Sequence, residues 1–348
     1  MILTDIVLTR FRGFDQQVFS FDPHLTVILG ENARGKTSLL EGIYTAIFGS
    51  GFRETRELEL IQWDKPDAYI QSKFLAGEQD MVFQIYLKRN EINRVAKTFS
   101  VSKTTKPYAQ YRKMQTAAVL FAPQQISIIS GSPTRRRDYL DSVLSAVDLN
   151  YRRRSRNYEN ALRKRNKLLE TYLDEMQLED ELSFWDNYLV EQAEYVTRRR
   201  RDFVDYLNAH PEMQTKRFTL KYEANEFSHE KLKRVHSQER MLRRTIIGPQ
   251  KDDFTIFLDT GANKDIHLYG SRSEQRLGVF WLKLNEIQFM QDSLEHKPLL
   301  LLDDIFSELD RHNKEIVMQM IDGYQTIVTT TEEEVQELAV IPGEVIRL

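Results

Sequence analysis

The stretch that decides the fold is Leu25-Thr-Val-Ile-Leu-Gly-Glu-Asn-Ala-Arg-Gly-Lys-Thr37. Its first five residues are mostly apolar and β-branched, which is typical of a buried strand. Apolar residues then recur at helical spacing from Lys36 to Phe48. The segment between them fits G-x-x-x-x-G-K-[ST], a loop whose backbone amides surround phosphate groups. The sequence therefore predicts strand, phosphate loop and helix in the order that nucleotide binding needs.

The loop residues have separable roles. Two glycines let successive N–H groups turn toward the phosphates, and the positive end of the following helix adds to the attraction. Lys36 is expected to contact the β and γ phosphates, and Thr37 to offer its hydroxyl to Mg²⁺. We therefore expect ATP and Mg²⁺ as cofactors. The predicted nucleotide-binding residues are Gly30, Glu31, Asn32, Ala33, Arg34, Gly35, Lys36, Thr37 and Ser38.

A second motif follows four consecutive leucines, which end in Asp303 and Asp304. Such a run predicts a buried strand that delivers both acids to the sheet edge where nucleotides bind. Asp303 is the predicted Mg²⁺ ligand, directly or through water. Asp304 would orient or deprotonate the attacking water, so Lys36 and Asp304 are the predicted catalytic pair. A helix cap is the alternative explanation for the two acids, but a cap does not require the leucines.

Composition excludes several other classes of protein. The 348 residues contain no cysteine, which rules out disulfide scaffolds, zinc ribbons and cysteine nucleophiles. Lys and Arg number 49 against 52 Asp and Glu, so any nucleic-acid interface must come from local clusters. No run of about 18 apolar residues occurs, and no signal-peptide pattern is present. We expect a cytoplasmic protein without a membrane partner.

The pattern changes along the chain and divides it into three parts. Residues 1–132 read as strands around the phosphate loop, with an antiparallel meander over 68–101. Residues 133–210 are helical, with neither Gly nor Pro between Thr134 and Ala209. Residues 211–348 read as α/β. The predicted fold class is α/β, an ATPase head with a mixed sheet, an antiparallel meander and an inserted arm. Two antiparallel helices in that arm would each reach about 50 Å.

Basic clusters in the helical segment indicate DNA binding. Between Asn150 and Glu170 there are eight Lys or Arg and only two Glu. Guanidinium groups on helices suit phosphate contacts without base reading. The alternative is a solvated helix face with salt bridges, because Asp174–Asp186 is acidic. The predicted DNA contacts are Arg135, Arg136, Arg152, Arg153, Arg154, Arg156, Arg163 and Lys164.

The order of these motifs resembles ABC-type ATPase heads of the structural-maintenance-of-chromosomes and Rad-fifty class, and most specifically the RecF family. The segments that carry the resemblance are Phe11–Phe14, Phe121–Pro123, Gly131–Asp141 and Gly248–Asp253. The resemblance implies a weak, DNA-stimulated ATPase that forms an ATP-dependent homodimer. It also implies a clamp on duplex DNA near single-strand gaps, with RecO and RecR as partners and RecA loading as the output.

The resemblance further implies a signature segment at Gly270–Arg276 that acts on the nucleotide of the other protomer. Ser271 stands where the signature serine would reach that γ-phosphate, although the same segment would also make an ordinary Ser-capped helix. Gln124 fits the lid glutamine that senses Mg²⁺, with Gln125 as the alternative. The implied residues acting in trans are Ser271, Arg272, Ser273, Glu274, Ser307 and Asp310.

Departures from the family pattern define what is unusual here. Ser273 stands where the family usually has Gly, and Glu274 where it often has Gln. The last strand lacks a switch histidine, and Thr330 is the candidate in its place. Asp304 has a shorter reach than the more usual Glu, so we expect slow hydrolysis. The alternatives are an ATPase subunit driving a membrane or defence-system partner and a non-hydrolysing structural head; the long helical insertion and Asp304 argue against them.

Overall fold

A computed structural model describes residues 1–53, 56–171, 175–213, 215–294, 296–306, 314, 317, 321, 323–331 and 342–348. The strands are β1 (Ile2–Phe11), β2 (Phe14–Ser20), β3 (Leu25–Leu29), β4 (Asp67–Ala76), β5 (Gln79–Arg89), β6 (Val95–Val101), β7 (Thr104–Lys106), β8 (Ala118–Phe121), β9 (Glu212–Met213), β10 (Lys216–Glu223), β11 (Asp253–Asp259), β12 (Asn263–Asp265), β13 (Leu299–Asp303), β14 (Thr326–Thr330) and β15 (Glu344–Arg347). The helices are α1 (Lys36–Phe48), α2 (Tyr108–Met114), α3 (Ser127–Ser130), α4 (Pro133–Val147), α5 (Leu149–Thr171), α6 (Glu175–Ala209), α7 (His229–Leu242) and α8 (Arg272–Ser293). Single 3₁₀ turns lie at Glu57–Leu60, Pro123–Ile126 and Pro249–Lys251.

A five-stranded parallel sheet carries the two nucleotide motifs. Its strand order is β15-β3-β14-β13-β8, and every neighbouring pair is parallel. Strands β3, β13, β14 and β8 are buried along their whole lengths. Such strands need apolar residues on both faces, which is why they read as continuous rather than alternating runs. The ends of β3 and β13 therefore meet at one edge, with β14 between them.

A six-stranded antiparallel sheet, ordered β2-β1-β4-β5-β6-β7, packs its apolar face on the same core. Burial alternates along β4, as expected for a sheet with one solvated face. Helix α1 contributes Leu39, Leu40 and Ile43 to that core. A Cβ on Gly42 would lie 2.8 Å from the Leu8 side chain, so glycine lets α1 approach β1 closely. The predicted meander over 68–101 corresponds to β4, β5 and β6.

The chain folds as two compact units, Met1–Pro123 with Gln291–Leu348, and Gln124–Met290. The second unit holds the helices α4 to α7 and an antiparallel sheet ordered β12-β11-β10-β9. Trp281 of α8 stacks on Phe218 of β10 at 5.4 Å between ring centroids. The predicted division into 1–132, 133–210 and 211–348 groups the residues differently and stays a prediction.

The helical arm differs from the expected pair of equal helices. Helix α5 has 23 residues and α6 has 35, which correspond to about 35 Å and about 52 Å. Helix α4 precedes them as a third member of the arm, beginning at Pro133 in the first turn, where proline is well tolerated. No helix among the described residues is long and apolar enough to cross a membrane.

Candidate nucleotide-binding site

The loop between β3 and α1 has the backbone conformation that its glycines permit. Gly35 has φ +106° and Ala33 has φ +67°, both in the left-handed region. A Cβ on Gly35 would also lie 3.2 Å from the ring of Phe14. Alternation of right- and left-handed residues turns successive N–H groups toward one side, which makes a concave anion site. Position 35 therefore needs glycine for both conformation and space.

Lys36 folds back onto the loop that precedes it. Its Nζ donates to the carbonyl oxygen of Gly30 at 2.7 Å and lies 3.4 Å from that of Glu31. Lys36 is only 4% exposed. The ammonium is thus held at the loop, where a phosphate oxygen would be a stronger acceptor than a carbonyl.

The two motifs meet through Thr37 and Asp303. Thr37 Oγ1 donates to Asp303 Oδ1 at 3.0 Å, and Thr329 Oγ1 donates to the same oxygen at 2.9 Å. Burial raises the pKa of Asp303, while the hydrogen bonds from Thr329 and Thr37 oppose that rise. A hydroxyl and a carboxylate are the hard oxygen ligands that Mg²⁺ prefers. The residues present therefore fit a magnesium ion held between the loop and β13.

Asp304 turns away from β13 with an unusual backbone. Its φ is +46°, a left-handed value that is uncommon outside glycine. Its backbone N–H donates to Thr329 Oγ1 at 2.9 Å. The Thr329 hydroxyl thus accepts from Asp304 and donates to Asp303, which fixes both acids relative to β14. The sequence motifs pointed to Thr330 and not to Thr329. The strand register identifies Thr329, because it pairs with Asp303.

A buried carboxylate behind the loop was also missed. Glu41 has a fully buried side chain and accepts from Arg12 at 2.7 and 3.0 Å. Arg53 lies 3.6 Å from the same carboxylate and 3.5 Å from Ser38 Oγ. One acid on α1 therefore holds two arginines from distant loops next to the phosphate loop. A bidentate pair of this kind fixes orientation as well as charge.

The signature segment forms a reciprocal helix cap at the start of α8. Ser271 Oγ accepts from the Glu274 N–H at 3.3 Å, and Glu274 Oε2 accepts from the Ser271 N–H at 2.7 Å. This is a capping box, which satisfies two N–H groups that the helix itself cannot. Ser271, Arg272 and Ser273 are all exposed. The segment is thus a well-capped helix start that also presents its serines to solvent.

The structure places only some of the lid and interface residues that the resemblance implies. Gln124 and Gln125 share the turn Pro123–Ile126, where Gln124 is exposed and Gln125 half-buried, so the choice between them stays open. Ser307 and Asp310 lie outside the described residues.

The basic residues divide into buried and exposed groups. Arg136 is 7% exposed, forms a bidentate pair with Asp253 and donates to the Gly131 carbonyl at 3.0 Å. The structure therefore speaks against Arg136 as a DNA contact, because its donors are already committed inside the unit. Arg154 pairs with Glu191 at 2.9 Å and lies over the Tyr195 ring at 5.0 Å.

A basic row follows one face of α5. It consists of half-buried Arg152 and exposed Arg156 and Arg163, whose spacings of four and seven residues place them on one side of the helix. Arg153 and Lys164 flank this row; Lys164 Nζ lies 4.8 Å from the Trp185 ring centroid. Arg135 is half-buried on α4.

Known proteins share both the sequence and the fold. A family profile described as AAA domain matches residues 5–338. The DNA replication and repair protein RecF of Agathobacter rectalis is 30% identical over 342 residues, which cover 95% of this chain and 92% of that one. The protein of the same name from Halalkalibacterium halodurans is 30% identical over 352 residues, covering 95% and 93%.

Solved protein structures share the fold of this chain. The recombination mediator protein RecF-ATP of the RecFOR pathway matches with a TM-score of 0.87 at 26% identity, covering 99% of this chain and 95% of that one. The Smc head domain of Pyrococcus furiosus, solved with the C-terminal domain of ScpA, shares the fold at a TM-score of 0.54, 16% identity and coverage of 99% and 93%. The α/β head fold and the family resemblance are confirmed. The chain belongs to the RecF family, and it is an ABC-type ATPase head of that family.

Proposed function

We propose that this protein is an ATP-dependent, DNA-binding recombination mediator. It dimerises on ATP, closes on duplex DNA near single-strand gaps and promotes RecA loading together with RecO and RecR. The observation that carries the proposal is the 3.0 Å contact between Thr37 and Asp303, which are 266 residues apart. Support comes from the solved structure of the recombination mediator protein RecF-ATP, whose fold matches nearly the whole of this chain.

The nucleotide site works through charge and position. Lys36 exchanges the carbonyls of the loop for phosphate oxygens and neutralises part of their charge. Thr37 and Asp303 would hold Mg²⁺, which supplies Lewis-acid stabilisation of the phosphoryl oxygens when bound. Gln124 is the proposed third contact to the ion.

Asp304 orients the attacking water. Its side chain is one methylene shorter than Glu, and its backbone is fixed by Thr329. Hydrolysis is therefore slow, and ATP acts as a switch for dimer closure rather than as the energy source of a motor. DNA binding stimulates it by holding the closed dimer together.

Closure requires two protomers. The exposed Ser271, Arg272 and Ser273 at the start of α8 face the nucleotide of the partner, where the helix N-terminus favours an anion. Glu274, Ser307 and Asp310 complete this contact.

DNA lies along the basic row on α5. From Arg152 to Arg163 the row spans about 17 Å of helix axis. Duplex DNA carries one negative charge per about 1.7 Å of its axis, so such a row meets several phosphates without reading bases. The contacts are Arg135, Arg152, Arg153, Arg156, Arg163 and Lys164, with Arg154 contributing beside Glu191. The protein acts in the cytoplasm.

Sedimentation velocity with and without ATP–Mg²⁺ tests the dimer. We expect ATP to give a dimer, Asp304→Asn to trap it by blocking hydrolysis, and Lys36→Ala to prevent it. Ser271→Arg should abolish the dimer while nucleotide still binds, because the phosphate loop is untouched. A wild-type protein and an Asp304→Asn variant that bind ATP yet stay monomeric would contradict the proposal. RecA loading on gapped DNA, with RecO and RecR added, is the final test.

A further inference from the structure

A lysine upstream of α8 pairs with a carboxylate of the signature segment. Lys264 of β12 places Nζ at 2.9 and 2.8 Å from the two carboxylate oxygens of Glu274. Glu274 in turn accepts from the Ser271 N–H at 2.7 Å. The three residues form a chain from ammonium to carboxylate to the serine that is proposed to meet the partner's nucleotide.

The loop that joins β12 to α8 is held in one shape. Asp265 Oδ1 accepts from the N–H groups of His267 and Leu268 at 2.8 and 3.2 Å. Gln275 Nε2 donates to the Ile266 carbonyl at 3.0 Å. A Cβ on Gly270 would lie only 2.4 Å from that same carbonyl oxygen, so the chain passes too closely for any other residue. Lys264 is therefore kept opposite Glu274 by the loop itself.

Glu274 creates an electrostatic problem for a phosphate. A helix start attracts anions, yet here a carboxylate belongs to the first turn and already accepts from the Ser271 N–H. Like charges a few ångströms apart repel, and more strongly where water is excluded, as in a closed dimer interface. The pKa of Glu274 is lowered to about 2, chiefly by its hydrogen bond to Lys264, so protonation does not remove this charge near neutral pH. A glutamine would cap the helix without any charge.

We propose that Lys264 is a positioning residue of the signature: it neutralises Glu274, so that the carboxylate holds Ser271 in place without repelling the γ-phosphate of the partner's nucleotide. The Lys264–Glu274 pair thus does the work of the neutral glutamine that the family often has. The inference rests on the proposed ATP-dependent dimer and adds to it a residue outside the signature.

A double-mutant cycle tests the inference. Lys264→Met, Glu274→Gln and the double variant are compared in the Asp304→Asn protein, and the dimer dissociation constant is measured by sedimentation with ATP–Mg²⁺. Lys264→Met should weaken the dimer by about tenfold or more, since it leaves an uncompensated carboxylate facing the phosphate. With Glu274→Gln already in place, no carboxylate remains to compensate, so adding Lys264→Met should change the dimer dissociation constant by less than about threefold. Lys264→Arg should retain the dimer.

Controls separate charge from folding. Lys221→Met removes a comparable lysine from an exposed pair with Glu223 on β10 and should leave the dimer unchanged. Titration with a fluorescent ATP analogue should show equal nucleotide binding in all variants, because the phosphate loop is untouched.

The outcomes are distinct. If Lys264→Met weakened the dimer equally with and without Glu274→Gln, the inference would be overturned, since the effect would not depend on the charge of Glu274. A Lys264→Met dimer as tight as the parent would overturn it too, while leaving the proposed function standing. A parent protein that stays monomeric with ATP bound would bring down both.

Discussion

Replacing Arg200 with methionine is expected to destabilise the arm rather than to weaken DNA binding directly. Arg200 lies on α6 within a run of four arginines and is 3% exposed. Its guanidinium donates to Asp252 Oδ2 at 2.7 Å, to the Pro249 carbonyl at 2.9 Å, and to both oxygens of Asp141 at 2.8 and 3.0 Å. The side chain of Asp252 is fully buried, so its charge would lose its main partner.

The magnitude follows from that burial. Removing one partner of a buried ion pair costs about 3–5 kcal/mol, because the remaining charge stays desolvated. Burial already raises the pKa of Asp252, and Arg200 is the largest influence that lowers it. Arg201 offers a matched control, since its pair with Glu226 has side chains 51% and 48% exposed. An exposed pair contributes at most about 1 kcal/mol.

Thermal unfolding followed by circular dichroism is the assay. One kcal/mol shifts the midpoint by about 2–4 °C in a unit of this size, so Arg200→Met should melt about 10 °C lower than Arg201→Met. Urea unfolding of the same two proteins gives the free-energy difference directly. Free energies of unfolding that agree to within about 1 kcal/mol would refute the reasoning, because the buried network would then contribute no more than a surface pair.

Three other changes address the two proposed binding surfaces. Gly35→Ala should lower ATP affinity by about a hundredfold, because φ +106° is strained for alanine and Phe14 lies 3.2 Å from the new Cβ; fluorescent ATP titration measures it, and unchanged affinity would contradict the assigned loop shape. Asp303→Asn should abolish Mg²⁺-dependent hydrolysis. In the wild type, burial raises the pKa of Asp303, so on acidification Mg²⁺ affinity should fall at a higher pH than it would for an ordinary aspartate, in a titration that the Asn variant does not show. Arg163→Gln should weaken binding to gapped DNA and reduce the salt slope by about one, whereas Arg234→Gln, on α7, should do neither.

The nucleotide motifs were predictable because their information is local. The phosphate loop is made by the eight consecutive residues from Gly30 to Thr37, so its motif can be read directly from the sequence. The leucines before Asp303 likewise predict a buried strand. The meeting of Thr37 and Asp303 follows from parallel strands that end at one edge. What the sequence could not supply was the position of β14 between them, because strand order and register are set by tertiary pairing. Thr329 was therefore missed, and Thr330 as a substitute for the switch histidine stays a prediction.

Charge runs proved less informative than motifs. Arg136, Arg165 and Arg200 each lie within a basic cluster, yet all three are buried and paired with carboxylates. Net charge does not report which way a side chain points; helix periodicity does. On α5 the buried residues Tyr158, Ala161, Arg165 and Leu169 follow spacings of three and four, so Arg165 sits in the apolar stripe. That stripe separates Arg165 from the basic residues that are predicted to contact DNA.

The amide of Gln325 bears on the order in which the chain folds during synthesis. Its Nε2 donates to the carbonyls of Leu3 and Asp22 at 2.7 and 3.0 Å, and its Oε1 accepts from the Leu3 N–H at 2.8 Å. The first strand is thus fastened by a residue that a ribosome adds 322 positions later. The continuous unit 124–290 emerges whole and can fold first, whereas the unit around it must wait for both of its ends. A nascent chain should therefore complete the 124–290 unit before it can bind a nucleotide, and products truncated soon after residue 290 would carry that folded unit behind an unfinished N-terminal segment.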